Sequence, residues 1–160
     1  MTEIFVTSDN HFGHQNIIHL CNRPFYSVEE MDDTMIKNWN EIVSKNDIVI
    51  NCGDFAWRGR SKEFRNKLNG IIILIRGNHD YNVSEDDGFI IVEGNITIGN
   101  MILSHHPIPL ENIPKGMIHI FGHIHQNEVF DETRQMNVSV EKTDYRPIKL
   151  DEIRKLYKSV

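Results

Sequence analysis

The chain has 160 residues, of which 39% are hydrophobic and 25% are charged. This length and composition predict one folded domain over residues 1–160, with enough apolar side chains for a core. The formal net charge of −6 argues against a broad basic face for duplex nucleic acid but allows a local basic patch. The sequence has no run of about 18 apolar residues, so no membrane segment is predicted.

The amino terminus and the cysteines bear on the compartment. The start, Met1-Thr2-Glu3, lacks the basic residues of a signal peptide. Cys21 and Cys52 have no metal-type spacing and are predicted to be free, buried thiols. Both features indicate a protein of the reducing cytoplasm.

The first predicted strand covers residues 3–8 and ends in a polar segment that contains Asp9 and His11. Because side chains alternate along an extended chain, these two are expected to point the same way. A carboxylate and an imidazole aimed at one point suit a divalent cation such as Mn²⁺, Zn²⁺ or Fe²⁺. A short helix is then predicted over residues 13–20. It would place His14 in its first turn, as either a substrate contact or an ordinary surface histidine.

A capping box at residues 27–30 opens the next predicted helix. Its apolar stripe is Val28, Met31, Met35, Trp39 and Ile42, which predicts a core-facing helix. A second buried strand follows over residues 48–50 and again ends in a carboxylate, Asp54.

The segment 57–67 is rich in basic residues. One interpretation is a solvated helix face, with Ser61 as its cap. The other is that Arg58 and Arg60, on the loop that leaves Asp54, meet an anionic substrate.

The central stretch is the buried strand 71–75 and the polar residues after it. Asn78 offers a neutral oxygen ligand, and His79 is a residue type that exchanges protons near neutral pH. Asp80 is expected to orient and support the His79 imidazole.

Three further apolar runs, 89–92, 96–98 and 101–103, are separated by Gly-Asn pairs, which predicts a three-stranded meander. Its last strand leads to His105. Another strand, 118–121, leads to His123 and His125. Edge strands near Val138 and Ile148 and a carboxyl-terminal helix capped by Asp151 complete the predicted elements.

Five predicted strands therefore end in groups that can bind a metal. These groups are Asp9 and His11, Asp54, Asn78, His105, and His123 with His125. Side chains that merely satisfy a core would lie inside the strands and alternate with apolar neighbours. Gathered at strand ends, where catalytic loops belong, they predict a metal site.

The ordered motifs Asp-x-His, Gly-Asp, Gly-Asn-His-Asp, His-His-Pro and Gly-His-x-His resemble the calcineurin-like metallophosphoesterase superfamily over residues 9–125. Segments 10–17 and 144–147 are also similar to a small prokaryotic and phage branch. The resemblance implies an α/β fold, a four-layer α/β/β/α sandwich of two mixed sheets flanked by helices. It also implies two divalent metal ions, foremost Mn²⁺, with Zn²⁺, iron or Ni²⁺ as alternatives.

Carried over by motif, the resemblance assigns Asp9, His11 and His125 to one metal. It assigns Asn78, His105 and His123 to the other metal, with Asp54 as the bridge. Of the two adjacent histidines it favours His105 over His106, because the ligand lies two positions before the proline. His79 matches the catalytic histidine, and Asp80 matches its supporting carboxylate.

The implied reaction is hydrolysis of a phosphoester by a metal-bridging hydroxide, with His79 as general acid. The predicted substrate is a phosphodiester of a nucleotide or short single-stranded nucleic acid, with His14, Arg58 and Arg60 as candidate contacts. The alternatives are a phosphomonoesterase of small metabolites or phosphoproteins, and a non-catalytic binding scaffold of the same fold. A scaffold is expected to have lost ligands or the catalytic histidine, and neither is missing.

Overall fold

The computed structural model describes residues 1–128 and 131–158. In chain order the strands are β1 (Ile4–Thr7), β2 (Ile48–Asn51), β3 (Ile71–Ile75), β4 (Ile90–Val92), β5 (Asn95–Ile98), β6 (Met101–Ser104), β7 (Ile118–Phe121), β8 (Gln135–Asn137) and β9 (Ile148–Lys149). The α-helices are α1 (Ile17–Leu20), α2 (Val28–Ile42), α3 (Ser61–Arg65) and α4 (Leu150–Leu156). Single turns of 3-10 helix occupy Glu85–Asp87, Leu110–Asn112 and Val140–Lys142. None of the described helices is long and apolar enough to cross a membrane.

The strands form two mixed sheets, which confirms the predicted α/β sandwich. The first sheet has the order β4-β3-β2-β1-β9, and the second has the order β5-β6-β7-β8. Strands β1 to β4 run parallel to one another, and so do β6 to β8, whereas β9 pairs antiparallel with β1 and β5 pairs antiparallel with β6. The strand ends that carry the predicted ligands therefore lie together at one edge of each sheet.

The core has two parts, one on each side of the first sheet. One fills the space between the sheets with aliphatic side chains, among them Val6, Ile50, Leu103 and Ile120, joined by Leu150 and Ile153 of α4. The other lies under α1, α2 and α3 and includes Phe5, Val49, Leu74, Met35, Trp39 and Phe64. Cys21 belongs to the helix-covered part and Cys52 to the part between the sheets, and both thiols are free and buried.

The outer face of the second sheet is covered by segment 107–117. The Arg134 guanidinium donates to the carbonyls of Leu110, Ile113 and Pro114, and the Gln135 amide donates to Ile108 at 2.9 Å. This segment contains a single turn of 3-10 helix, whereas α1, α2 and α3 cover the outer face of the first sheet.

The predicted three-stranded meander is wrong. Strand β4 pairs in parallel with β3 in the first sheet, and only β5 and β6 form a hairpin. Parallel pairing needs a crossover connection, which residues 76–89 supply. The Gly94-Asn95 pair therefore lies where the chain passes from one sheet to the other.

The predicted helices are present; α2 begins after Ser27 as predicted, whereas α1, α3 and α4 begin at other residues than predicted. The Ser27 hydroxyl caps α2 by accepting from the Glu30 N–H at 3.1 Å, but the Glu30 carboxylate accepts from Tyr26 instead of closing the box. Helix α3 begins at Ser61 itself, with Arg60 at its N-cap. Helix α4 begins at Leu150, one residue before the predicted cap.

Candidate metal centre

Most of the predicted ligands have an unusual backbone conformation. Left-handed φ angles occur at Asp9 (56°), His11 (51°), Asp54 (57°), His123 (71°) and His125 (53°). Such residues cost on the order of 1–3 kcal/mol each and cluster where a site fixes side-chain direction. The predicted reason for their convergence, alternation along an extended chain, is therefore wrong. Tight turns after the strands direct these side chains to one place.

Asp9, His11 and His125 form one cluster of donor atoms. The Asp9 Oδ1 atom lies 3.9 Å from His11 Nε2 and 3.7 Å from His125 Nε2. Both Asp9 Oδ1 and His11 Nε2 are buried and have no hydrogen-bond partner among the described residues. Buried polar atoms are rarely left unpaired. A divalent cation would satisfy both, since donors that share an ion lie about 3 to 4 Å apart.

The charges around this cluster favour a cation. Burial alone would lower the pKa of His125, but contacts with Cys21, Glu141 and Asp9 raise it to about 10. The second oxygen of Asp9 accepts from the Ser8 hydroxyl at 2.6 Å and the His123 N–H at 2.7 Å. Asp9 is thereby held with its free oxygen toward the histidines.

Asp54 lies between this cluster and a second one. Its Oδ2 atom is 3.6 Å from His11 Nε2 and 3.4 Å from His105 Nε2. Burial opposes ionisation, but the hydrogen bond and charge of His105 and the charge of His11 hold the pKa of Asp54 at about 2. The carboxylate is therefore an anion placed to face two cations at once.

The second cluster consists of Asn78, His105 and His123. The Asn78 Oδ1 atom lies 2.9 Å from His105 Nε2, and His123 Nδ1 lies 3.2 Å from the same nitrogen. The other ring nitrogen of His105 donates to the Cys52 carbonyl at 2.7 Å, so Nε2 is the one free to bind a metal. His106 is exposed, with a ring nitrogen within 4.8 Å of those of His105 and His123.

Two glycines allow the loops of the centre to approach closely. A side chain at Gly77 would lie within 2.6 Å of the Asp54 backbone nitrogen, and one at Gly122 would lie 2.2 Å from Asp9 Oδ2. Neither position has room for a Cβ atom. The glycines of the Gly-Asn-His-Asp and Gly-His-x-His motifs are thus explained by packing.

His79 and Asp80 are neighbours in the sequence but lie in different surroundings, one exposed and the other buried. His79 is exposed at the mouth of the centre, with its ring 5.4 Å from that of His11. Asp80 is fully buried, and its carboxylate accepts from the N–H groups of Gly77, Asp54 and Phe55 at 2.7, 2.7 and 3.0 Å. Asp80 therefore supports the Asp54 loop, whereas the sequence predicted that it would orient the His79 imidazole.

The predicted substrate contacts differ in their surroundings. His14 is 8% exposed, lies in the turn before α1, and stacks on Trp57 with ring centroids 3.7 Å apart. Burial lowers the pKa of His14 to about 4, so it is neutral at pH 7. Arg58 is exposed beside Trp57, with its guanidinium carbon 4.8 Å from the ring centroid. Arg60 is held by Glu63 through two hydrogen bonds of 2.9 Å.

Sequence reasoning missed three side chains at this site. Trp57 begins the basic segment 57–67, and nothing in the sequence distinguishes it as a site residue. Arg23 and Glu141 form a buried ion pair of 2.8 Å behind His125, and they lie 118 positions apart in the chain. No pattern of sequence spacing relates residues this far apart, so the pair can be identified only in the folded structure.

Comparison with known proteins agrees with the fold and the motifs. The model of the family Metallophos, described as calcineurin-like phosphoesterase, matches residues 2–99. This range ends before His105. The uncharacterized protein MJ1445 of Methanocaldococcus jannaschii is 39% identical over 166 residues, covering 98% of this chain and 92% of that protein. The gene 66 protein of Mycobacterium phage L5 is 36% identical over 86 residues, covering 50% of this chain and 41% of that protein.

Two solved structures share the fold. The protein of unknown function AQ665 from Aquifex aeolicus has a TM-score of 0.77 and 27% identity, covering 98% of this chain and all of that one. Pseudomonas putida nuclease MPE has a TM-score of 0.54 and 20% identity, covering 76% of this chain and 60% of that one. The family match, together with the histidine and aspartate groups at the sheet edges, identifies a metal-dependent phosphoesterase. The chain belongs to the calcineurin-like phosphoesterase family.

Proposed function

We propose that the chain is a phosphodiesterase with two divalent cations, foremost Mn²⁺, one on each side of Asp54. The observation that carries this proposal is the position of Asp54 Oδ2, 3.6 Å from His11 Nε2 and 3.4 Å from His105 Nε2. Each histidine belongs to a separate cluster of donor atoms, so one carboxylate oxygen faces two clusters. A single-ion site would leave one of them without a role.

The site residues have separate roles in the proposed hydrolysis. Two bound cations would neutralise phosphate charge and acidify water held between them. Asp9, His11 and His125 would hold the first cation, and Asn78, His105 and His123 the second. His79, exposed beside His11, would donate a proton to the departing oxygen of the ester.

A diester is the proposed substrate, for two reasons. An exposed histidine placed to protonate the leaving group matters most when that group is an unactivated sugar oxygen. The structural neighbour from Pseudomonas putida is called a nuclease. A nucleotide or short single strand is therefore the proposed ligand, with Arg58 and His14 as contacts. Because Arg60 is paired with Glu63, the wider basic patch gives less support for a nucleic-acid ligand.

The test is a comparison of esters under controlled metal content. Purified protein is stripped with chelator and reloaded with Mn²⁺. The value of kcat/KM is then measured for bis(4-nitrophenyl) phosphate, 4-nitrophenyl phosphate and a dinucleotide. We expect metal-dependent hydrolysis with the diesters preferred. A monoester preference would overturn the proposed substrate. No hydrolysis of any ester by the loaded protein would favour the scaffold alternative.

A further inference from the structure

A buried ion pair lies directly behind the Asp9, His11 and His125 cluster. The Glu141 Oε1 atom is 3.0 Å from His125 Nδ1, accepts from Arg23 Nε at 3.0 Å and forms an ion pair with Arg23 Nη2 at 2.8 Å. The side chain of Arg23 is 0% exposed and that of Glu141 is 4% exposed. We call this pair the Arg23–Glu141 clamp.

Glu141 determines which nitrogen of His125 faces the centre. A carboxylate at 3.0 Å from Nδ1 requires the proton on that nitrogen, because a carboxylate only accepts hydrogen bonds. Nε2 is then the nitrogen that remains to bind a metal, and it is the atom that lies 3.7 Å from Asp9 Oδ1. An outer carboxylate that orients a histidine in this way makes it a better metal ligand.

Arg23 holds the turn that carries the other two donors. Its guanidinium donates to the Asp9 carbonyl and to the Asn10 carbonyl, both at 2.7 Å. These carbonyls belong to the turn in which Asp9 and His11 have left-handed φ angles. A planar guanidinium can bind two carbonyls and a carboxylate at once, which an ammonium group cannot do in the same geometry.

The two members of the clamp depend on each other. Glu141 Oε2 is buried without a hydrogen-bond partner among the described residues, so the charge of Glu141 rests on its contacts through Oε1. Removing either partner would leave an uncompensated buried charge. Arg23 follows α1, and Glu141 lies in the 3-10 turn Val140–Lys142 after β8. The clamp therefore joins a loop of the first sheet to a loop of the second.

We infer that Arg23 and Glu141 are positioning residues for one of the two metal positions, the one formed by Asp9, His11 and His125. This inference rests on the proposed function, because it presupposes that a cation binds there. The second cluster receives its orientation from other groups, such as the Cys52 carbonyl that accepts from His105 at 2.7 Å. Changes to the clamp should therefore lower the affinity for one metal ion and leave the affinity for the other unchanged.

The experiment titrates the metal-free protein with Mn²⁺ by calorimetry, in full-length wild type and variants. Glu141→Leu and Arg23→Met should each weaken one of two Mn²⁺ binding events by about 10- to 100-fold. Glu141→Gln should recover much of the loss, since its carbonyl still accepts from His125 Nδ1. Arg23→Lys should not recover it.

The matched control is Arg65→Met. The Arg65 guanidinium also holds three backbone carbonyls, those of Leu68, Gly70 and Gly88 at 2.8–3.0 Å, but it touches none of the proposed ligands. This variant should keep both Mn²⁺ affinities. Circular dichroism verifies that each variant is folded, and Arg23→Lys, which keeps the positive charge and should still weaken one binding event, provides the test if Arg23→Met does not fold.

The outcomes separate the clamp from the proposed function. Two Mn²⁺ events of wild-type affinity in Glu141→Leu would overturn the clamp. Equal weakening of both events, or the same loss in Arg65→Met, would also overturn it. Absence of Mn²⁺ binding in the wild type would instead contradict the proposed function.

Discussion

Asp54 connects both halves of the proposed centre through one carboxylate oxygen, Oδ2. Oδ2 faces His11 and His105, while Oδ1 accepts from the backbone N–H of His79 at 2.8 Å. This hydrogen bond fixes the orientation of the Asp54 carboxylate. The Asp80 carboxylate holds the Asp54 backbone by accepting from its N–H. With a pKa of about 2, the group is ionised before any metal arrives. Its role as a bridge therefore requires no proton loss at neutral pH.

The first prediction concerns His79. Replacement by alanine should leave Mn²⁺ binding unchanged, because the ring is exposed and outside both donor clusters. The rate on a dinucleotide should fall by about 10²–10⁴-fold, whereas bis(4-nitrophenyl) phosphate should lose much less, since nitrophenolate leaves without a proton. Steady-state kinetics on both substrates measure the difference. His19→Ala, an exposed histidine of α1, is the control. Equal losses on the two substrates would rule out the general-acid role.

At the scale of elements, the sequence predicted where the strands end but not the conformation of the turns that follow them. Runs such as 71–75 predicted buried strands, and the polar residues after them predicted the site. Side-chain direction after the strands depends on left-handed turns at residues such as Asp9 and His123, which a pattern of period two does not represent. The pairing of β4 with β3 was missed because Gly-Asn pairs signal turns but do not reveal which strands pair. Arg23 and Glu141 meet only through tertiary contacts.

The second sheet contains a buried histidine that should make stability depend on pH. His119 of β7 is 0% exposed, and its Nε2 lies 2.8 Å from the Ser104 hydroxyl. Burial lowers its pKa to about 4. As the pH falls below about 6.5, His119 becomes protonated in the unfolded chain but stays neutral in the folded protein. The contribution of His119 to the free energy of unfolding is therefore fully present above pH 6.5 and is lost as the pH falls toward 4.

The expected size of this effect is on the order of 2 kcal/mol between pH 7 and pH 5, at about 1.36 kcal/mol per unit of pKa. Urea denaturation of the wild type and His119→Asn at both pH values measures it. The wild type should lose more stability than the variant on acidification. The same loss in both proteins would mean that His119 does not cause it.

At the scale of the molecule, the proposed centre exists only when both sheets are in place. The first sheet supplies Asp9, His11, Asp54 and Asn78, and the second supplies His105, His123 and His125. The inter-sheet core holds the two edges together, so folding and metal binding are coupled. A cation at 100 times its dissociation constant would stabilise the folded state by about 2.7 kcal/mol.

The measurement that tests the central claim most directly is metal stoichiometry together with activity. Stripped protein is loaded with Mn²⁺ by equilibrium dialysis, bound metal is determined by elemental analysis, and diester hydrolysis is assayed at each loading. We predict two Mn²⁺ per chain in the wild type, with activity that follows the second ion. Asp54→Asn should bind less metal and lose hydrolysis while staying folded, and Asp86→Asn, an exposed control, should match the wild type. One bound Mn²⁺ per chain with full activity would contradict the account.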